Sequence, residues 1–244
     1  MLCTRGRDEY RMIIGSGLIA KAFSQCLNTL DDICIYAAGV SNSGCSDLSE
    51  FEREQVRLLE AIQQQPAETL CVYFSTCSIY DPSLKDSPYV LHKIRMESLV
   101  KECDRYLILR LPQVVGRTPN PHTLLNYLFA RIIRSERFTI WGGATRNIID
   151  VEDVVRVASD LILVEGACNE TIDIANTENY DILDIVKTMG TVVNRQPIFS
   201  IINKGNSYYI EASRISASLE RCKLFFGVSY LEEVIRKYYG VHMS

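Results

Sequence analysis

Three side chains in the middle of the chain have the spacing of a proton-transfer site. Thr76 lies 13 residues before Tyr89, and Lys93 lies four residues after it. Positions i and i+4 share one face of a helix, so the Lys93 ammonium is expected close to the Tyr89 phenol, where it would lower the phenol pKa. The Thr76 hydroxyl would share the substrate oxygen. The pattern therefore predicts proton exchange with an alcohol or ketone, coupled to hydride transfer involving a nicotinamide.

A glycine-rich turn near the start of the chain predicts where a dinucleotide would bind. The apolar residues 12–14 lead into Gly15-Ser16-Gly17-Leu18-Ile19-Ala20, and a helical pattern follows. Gly15 would allow the tight turn, Gly17 the close approach of a pyrophosphate, and Ala20 close packing of the helix on the strand. Backbone N–H groups at the helix start would bind the anion. The alternative is a plain strand-turn-helix of small residues, which the downstream proton-transfer pattern argues against.

The motifs, taken in order, resemble the extended short-chain dehydrogenase/reductase family, the NAD-dependent epimerases and dehydratases that act on nucleotide sugars. The likeness covers about residues 12–240. Residues 70–76 resemble the family strand that ends in a catalytic Ser or Thr, and residues 109–116 resemble the strand and turn that follow the nicotinamide. Residues 140–154 resemble the stretch whose Arg binds a substrate phosphate.

The resemblance implies a role for particular residues. The catalytic residues would be Thr76, Tyr89 and Lys93. The cofactor, NAD or NADP, would contact Gly15, Ser16, Gly17, Leu18, Ile19, Ala38, Gly39, Ser75, Tyr89, Lys93, Leu111 and Pro112. The substrate would contact Cys77, Ser78, Gln113 and Arg146. The alternatives are an inert side chain at Cys77 and a solvated charge at Arg146, while position alone supports Gln113.

The activity implied by the resemblance is that of an NAD(P)-dependent epimerase or ketoreductase acting on a nucleotide-activated sugar, in cell-surface polysaccharide or deoxysugar biosynthesis. Family dehydratases carry Asp-Glu directly after the catalytic Thr, where this chain has Cys77-Ser78. Neither side chain replaces a carboxylic acid at neutral pH, so the sequence argues against 4,6-dehydration. The alternative is a non-catalytic nucleotide or nucleotide-sugar binding protein on a degraded Rossmann scaffold. Retention of the whole catalytic trio argues against it.

Composition indicates a cytoplasmic enzyme with no nucleic-acid or membrane partner. The chain has 244 residues, 47% of them hydrophobic, and a net charge of −4. A negative net charge disfavours nucleic acid and anionic membrane surfaces, and the longest apolar stretches have only the length of strands. Nine cysteines without a Cys-x-x-Cys motif indicate free thiols in a reducing compartment. Neither these cysteines nor the three histidines show metal-ligand spacing, so no metal is expected.

Alternating strands and helices predict an α/β fold, a Rossmann-like parallel sheet flanked by helices with a small C-terminal substrate lobe. The strands are predicted at 11–15, 32–38, 69–75, 105–111 and 170–175. The helices are predicted at 18–28, 49–64, 89–103, 120–135, 151–164, 180–190 and 229–239.

The cofactor half is shorter than in the family. Two more strands and a helix normally separate the glycine-loop helix from an Ala-Ala-Gly strand end, which arrives here directly at residues 37–39. One interpretation is that the second and third strands are deleted, and the other is that residues 33–38 are the second strand. The Ala-Ala-Gly ending favours deletion. In both cases the acid that holds the adenosine ribose, about 20 residues past the glycines, is absent, so NAD and NADP cannot be distinguished by that rule.

Two domains and a homodimer follow as expectations. Residues 1–115 and 149–175 would form the truncated Rossmann domain, and residues 116–148 and 176–244 the substrate lobe. Helices 49–64 and 89–103 resemble the pair that forms the family's dimer interface. Their apolar residues would pack either in that interface or on the sheet, and they are Leu58, Leu59, Ile62, Ile94 and Leu99.

Overall fold

The protein alternates strands and helices along most of the chain. The structure, a computed structural model, describes residues 13–26 and 32–240. The strands are β1 Ile13–Ile14, β2 Ile33–Tyr36, β3 Leu70–Thr76, β4 Tyr106–Leu111, β5 Gln113–Val115, β6 Phe138–Trp141, β7 Thr145–Asp150, β8 Glu170–Asp173, β9 Asn179–Asp181 and β10 Phe199–Ile202. The helices are α1 Leu18–Cys26, α2 Leu48–Gln63, α3 Pro88–Val100, α4 Leu124–Ile133, α5 Val151–Leu163, α6 Ile182–Val192, α7 Ser216–Arg221 and α8 Tyr230–Tyr239. Short 3₁₀ helices occupy Cys77–Tyr80 and Ser213–Ile215.

A five-stranded parallel sheet confirms the predicted fold class. Its strand order is β1-β2-β3-β4-β8, and every neighbouring pair is parallel. All seven residues of β3 are buried, as expected for a parallel strand that helices cover on both faces. The five predicted strands and seven predicted helices are present, with ends that differ by a few residues. Residues 11–12 and 27–28 of these predictions lie outside the described residues.

The strand order decides how the cofactor half is shortened. In a Rossmann sheet the second strand lies on the opposite side of the first from the strands that follow. Here β2 lies between β1 and β3, and β1 is the edge strand within the described part of the chain. The interpretation that residues 33–38 are the second strand is therefore wrong, and the deletion of two strands is correct.

Helix caps determine where the functional side chains enter the fold. The Ser87 hydroxyl accepts a hydrogen bond from the Val90 N–H, and Pro88 occupies the first turn of α3, where its missing N–H costs nothing. Asp47 caps α2 and Asp150 caps α5 in the same way. The cap at Ser87 places Tyr89 in the first turn of α3 and Lys93 one turn later.

The remaining strands form two small sheets that the sequence did not predict. One has the order β5-β7-β9, and the other pairs β6 with β10. Each strand has only three to six residues, too few to show a periodicity against their surroundings. One hydrophobic cluster runs from Phe23 and Ile35 to Leu231 and Ile235 and joins these sheets to the main one. The division into two domains stays a prediction.

The apolar face of α2 and α3 packs on the sheet. Leu58 is fully buried with Tyr36, Tyr73 and Met96. Ile62 and Leu99 pack partly against the same cluster, whereas Ile94 is 43% exposed. Packing on the sheet, the alternative to an interface role, is therefore correct for Leu58. Within the described residues, no helix combines the length and the apolar character that crossing a membrane requires.

Replacing Leu58 tests this packing. We expect Leu58→Ala to lower the free energy of unfolding by about 2–5 kcal/mol, because it leaves a cavity in the core. Leu48→Ala is the matched control, since Leu48 lies on the same helix but is 70% exposed, and it should change stability by less than about 1 kcal/mol. Chemical denaturation measures both. Equal losses in the two variants would contradict the assignment of Leu58 to the core.

Candidate active site

The glycine loop joins β1 to α1 in the predicted geometry. Gly15 has a φ of +138°, and a Cβ at this position would collide with the carbonyl oxygen of Ala37. Only glycine therefore fits both the backbone conformation and the contact with the β2 end. A Cβ at Gly17 would meet no atom within 4 Å. The space in front of Gly17 is open, as the close approach of a ligand would require.

A cavity of about 410 Å³ lies along the carboxyl ends of the strands, the usual ligand position in open α/β sheets. It brings together every residue that the sequence assigned to the cofactor. The lining includes Gly15, Ser16, Gly17, Leu18, Ile19, Ala38, Gly39, Ser75, Tyr89, Lys93, Leu111 and Pro112. Thr76, Ser78 and Gln113 also line it, so the predicted catalytic residues and two predicted substrate residues share one cavity.

Two predicted substrate residues do not line this cavity. Cys77 is fully buried in a cluster with Ala175 and Ile210, and burial raises its pKa well above the usual thiol range. The expectation of a Cys77 contact with substrate is therefore wrong, because the start of the 3₁₀ helix turns the thiol into the core. Arg146 lies on β7, half-buried, and donates from Nη1 to the Thr145 carbonyl oxygen at 2.7 Å.

Tyr89 is buried beside Thr76 at the end of β3. Burial raises the pKa of the Tyr89 phenol, and the negative charge of Glu54 adds to the increase. A hydrogen bond from Thr76 acts in the opposite direction, and the resulting pKa is about 12. The phenol is therefore protonated at neutral pH. A protonated phenol at this position is a proton donor for a substrate oxygen.

The Lys93 ammonium is directed to Glu54 and Tyr73. Its Nζ lies 3.1 Å from Glu54 Oε1 and 2.7 Å from the Tyr73 hydroxyl oxygen, and the side chain is 3% exposed. The sequence-based expectation that Lys93 lowers the pKa of Tyr89 is wrong for this arrangement. The Glu54 carboxylate balances the ammonium charge, so the phenol experiences burial more strongly than the cation.

A second hydrogen-bond network includes Ser75, the residue before Thr76. Glu97 on α3 accepts hydrogen bonds from the Ser75 hydroxyl at 2.6 Å and from Arg110 Nε and Nη2 at 2.9 and 2.7 Å. Arg110 also donates to the Tyr80 hydroxyl at 3.0 Å, and Tyr80 in turn donates to Asp173 at 2.7 Å. These bonds connect α3, β3, β4 and β8 next to the end of β3 that carries Thr76.

Sequence reasoning missed Glu54, although the sequence contains a signal for it. Phe51, Glu54, Leu58 and Ala61 are spaced by three or four residues, and all four are buried on the inner face of α2. A carboxylate among apolar residues on one helix face must have a partner, because an unpaired buried charge is strongly unfavourable. The same spacing argument applies to Glu97, which lies on α3 between the buried Met96 and Val100.

Comparison with known proteins agrees with this geometry. The model of the NAD dependent epimerase/dehydratase family matches residues 32–175, more than half of the chain. This protein therefore belongs to the NAD dependent epimerase/dehydratase family. A search of curated proteins gave no match to the sequence.

Solved structures resemble most of the fold. RMD from Pseudomonas aeruginosa, complexed with NADPH, has a TM-score of 0.70 and 13% identity, with 92% of this chain and 96% of that chain covered. UDP-glucuronic acid 4-epimerase from Bacillus cereus with NAD has a TM-score of 0.66 and 21% identity over 89% and 75% of the two chains. dTDP-glucose 4,6-dehydratase from Bacillus anthracis with NAD has a TM-score of 0.65 and 15% identity, with 84% of this chain and 71% of that chain covered. At these identities the likeness establishes a shared fold.

Proposed function

We propose that this protein is an NAD(P)-dependent enzyme acting on a nucleotide-activated sugar, as an epimerase or a ketoreductase. The observation that carries the proposal is the position of Thr76, Tyr89 and Lys93 on the cavity that the glycine loop opens. Family membership supports it, as do the NAD and NADPH complexes of the structural relatives.

The cavity suits a dinucleotide in shape and charge. The open space at Gly17 leaves room for a pyrophosphate, and the first N–H groups of α1 lie beside it. Arg57 and Lys93 line the cavity, and its described lining contains no Asp or Glu. When bound, the nicotinamide supplies a hydride acceptor or donor. Arg57, next to Tyr36, lies where we place the adenosine half.

Tyr89 and Thr76 would carry out the proton transfer to the substrate. Tyr89, protonated because its pKa is raised to about 12, would donate from its hydroxyl to a ketone oxygen as that oxygen becomes an alcohol. The Thr76 hydroxyl would hold the same oxygen. Ser78 and Gln113 would contact the sugar. Arg146 would bind a substrate phosphate, since it has no carboxylate partner within the described residues.

The proposed setting is a reducing cytoplasm, in cell-surface polysaccharide or deoxysugar biosynthesis. Eight cysteines of the described residues are free thiols, and five of them are at least partly exposed: Cys26, Cys45, Cys103, Cys168 and Cys222. Free exposed thiols suit a compartment that keeps them reduced. Dehydration is disfavoured, because a buried Cys77 and a Ser78 hydroxyl occupy the positions after Thr76.

Replacing Tyr89 tests its role as acid. Tyr89→Phe should lower the rate of ketosugar reduction by about 10²-fold or more, since it removes the donated proton. Cofactor affinity should stay within about twofold of wild type, because no ion pair is lost. Stopped-flow absorbance of the reduced nicotinamide measures the rate. Tyr127→Phe, a change on α4 away from the cavity, is the control. A Tyr89→Phe variant that turns over at the wild-type rate would eliminate this residue as the acid.

Cofactor binding is the most direct test of the proposal. Calorimetry should detect both NAD and NADP, with dissociation constants that differ by less than about tenfold. The reason is that the described lining has no carboxylate to repel the 2′-phosphate of NADP, while the positive charge of Arg57 would balance the charge of that phosphate. Binding of neither cofactor would refute the proposal. A preference above about a hundredfold would reveal a ribose site beyond the residues described.

We further propose a homodimer formed by α2 and α3. These helices pack against each other and carry Val56, Leu91 and Ile94, which are 54%, 53% and 43% exposed. Light scattering should give twice the chain mass of 27.7 kDa. Leu91→Glu should then yield the monomer mass, whereas Leu163→Glu, at a 55% exposed position of α5, should not. A monomer mass for the wild-type protein at micromolar concentration would exclude the dimer.

A further inference from the structure

Four elements meet at one buried carboxylate beside the cofactor cavity. Glu54 on α2 accepts hydrogen bonds at Oε1 from the Tyr73 hydroxyl at 2.7 Å and from Lys93 Nζ at 3.1 Å. Its Oε2 accepts from the Val40 N–H at 2.6 Å and lies 3.0 Å from His92 Nε2. The Glu54 and Lys93 side chains are only 1% and 3% exposed. The carboxylate is thus saturated with partners from β3, α3 and the loop after β2.

The ammonium of Lys93 has one N–H to spare. A lysine ammonium has three donors, and the Glu54 carboxylate and the Tyr73 hydroxyl account for two of them. Tyr73 itself donates to Glu54, so these three groups form a closed triangle. Lys93 also lines the cofactor cavity. The triangle therefore leaves the third donor for a ligand in that cavity.

The loop after β2 leaves the Glu54–Lys93 ion pair close to the cavity, because it has a glycine, Gly39, at the point of contact. A Cβ at Gly39 would lie 2.7 Å from Lys93 Nζ and 2.8 Å from Glu54 Oε1. The bare backbone of Gly39 therefore rests directly on the ion pair, and the Val40 N–H fixes the loop to Glu54. The position of the cavity wall and the position of the ammonium are set by the same carboxylate.

Burial makes the charge of Lys93 depend on its surroundings. Burial lowers the pKa of Lys93, and the charges of Glu54 and Glu97 oppose that change. Burial would also raise the pKa of Glu54, but the Lys93 charge and the hydrogen bonds lower it to about 2. Two further groups face the pair: Tyr36 on β2, which donates to the Glu54 carbonyl oxygen, and Tyr89 on α3.

We propose that Glu54 is a positioning residue that keeps Lys93 in its ammonium form and directs its third N–H into the cofactor cavity. This inference rests on the proposed function, since it assigns the ammonium to a bound dinucleotide. The competing interpretation is that the pair only joins α2 to α3. The two interpretations differ in how cofactor affinity depends on pH, because only a positioning role links Glu54 to the protonation of Lys93.

The test is the affinity for NADH and NADPH, measured by fluorescence from about pH 6 to about pH 10, a span that includes the lysine range. In the wild-type protein, affinity should fall on the alkaline side as Lys93 loses its proton. Glu54→Gln removes the charge that favours the ammonium, so the pKa of Lys93 falls. The loss of affinity should then occur at a pH lower by about one unit or more. Glu60→Gln, an exposed change on the same helix, should leave the curve unchanged.

A second variant covers the case in which Glu54→Gln does not fold. Tyr73→Phe keeps the ion pair but removes one hydrogen bond from each partner, so the curve should move in the same direction by a smaller amount. Circular dichroism at each pH establishes that the variants remain folded. The inference would be overturned if the folded variants were less stable than wild type but had the same dependence of cofactor affinity on pH. That result would show that the ion pair has only a structural role. A wild-type protein that binds neither nucleotide would overturn the proposed function and the inference with it.

Discussion

The hydrogen-bonded ladder that holds β3 between β2 and β4 fixes the position of the candidate catalytic residues. Cys71–Thr76 pair with Tyr106–Leu111 on one side, and Leu70–Tyr73 pair with Ile33–Tyr36 on the other. Because the strands are parallel, their carboxyl ends meet at one edge of the sheet. The hydroxyl of Thr76 projects there, and α3, which packs on β3, brings Tyr89 and Lys93 to the same edge. A shift of this register would separate the three side chains.

Two buried carboxylates lock the helices onto this ladder. Glu97 holds Ser75 and Arg110 beneath the cavity, and Glu54 holds Tyr73 and Lys93 beside it. A buried ion pair adds little net stability compared with apolar residues, whereas removal of one partner is costly. Stability alone therefore gives no reason to keep Glu54 opposite Lys93. The reason is instead the position that Glu54 gives to the Lys93 ammonium. In this respect Glu54 differs from an ordinary contact between a helix and a sheet.

The parts of the fold that the sequence predicts are those with strong local signals. The apolar residues of β3 and the cap at Ser87 define a buried strand and a helix start without knowledge of any partner. The pairing of Phe138–Trp141 with Phe199–Ile202 has no such signal, because each strand is short and its partner lies about 60 residues away along the chain. The orientation of Cys77 depends on the turn after Thr76, which residue spacing does not specify. Glu54 was recognisable by its place among buried apolar residues, but its partner on α3 was not.

Helix α2 contributes to the cavity through one residue that lines it and one that contacts Lys93. With β1 at the edge of the described sheet, no described strand lies beyond it to enclose the adenosine half of a dinucleotide. Arg57 lines the cavity near Tyr36, and Glu54 lies one helical turn earlier, against Lys93. Residues at i and i+3 lie on neighbouring positions of a helix surface. One turn of α2 therefore carries both a cation that lines the cavity and the carboxylate that contacts the Lys93 ammonium, so any displacement of this helix would move both groups together.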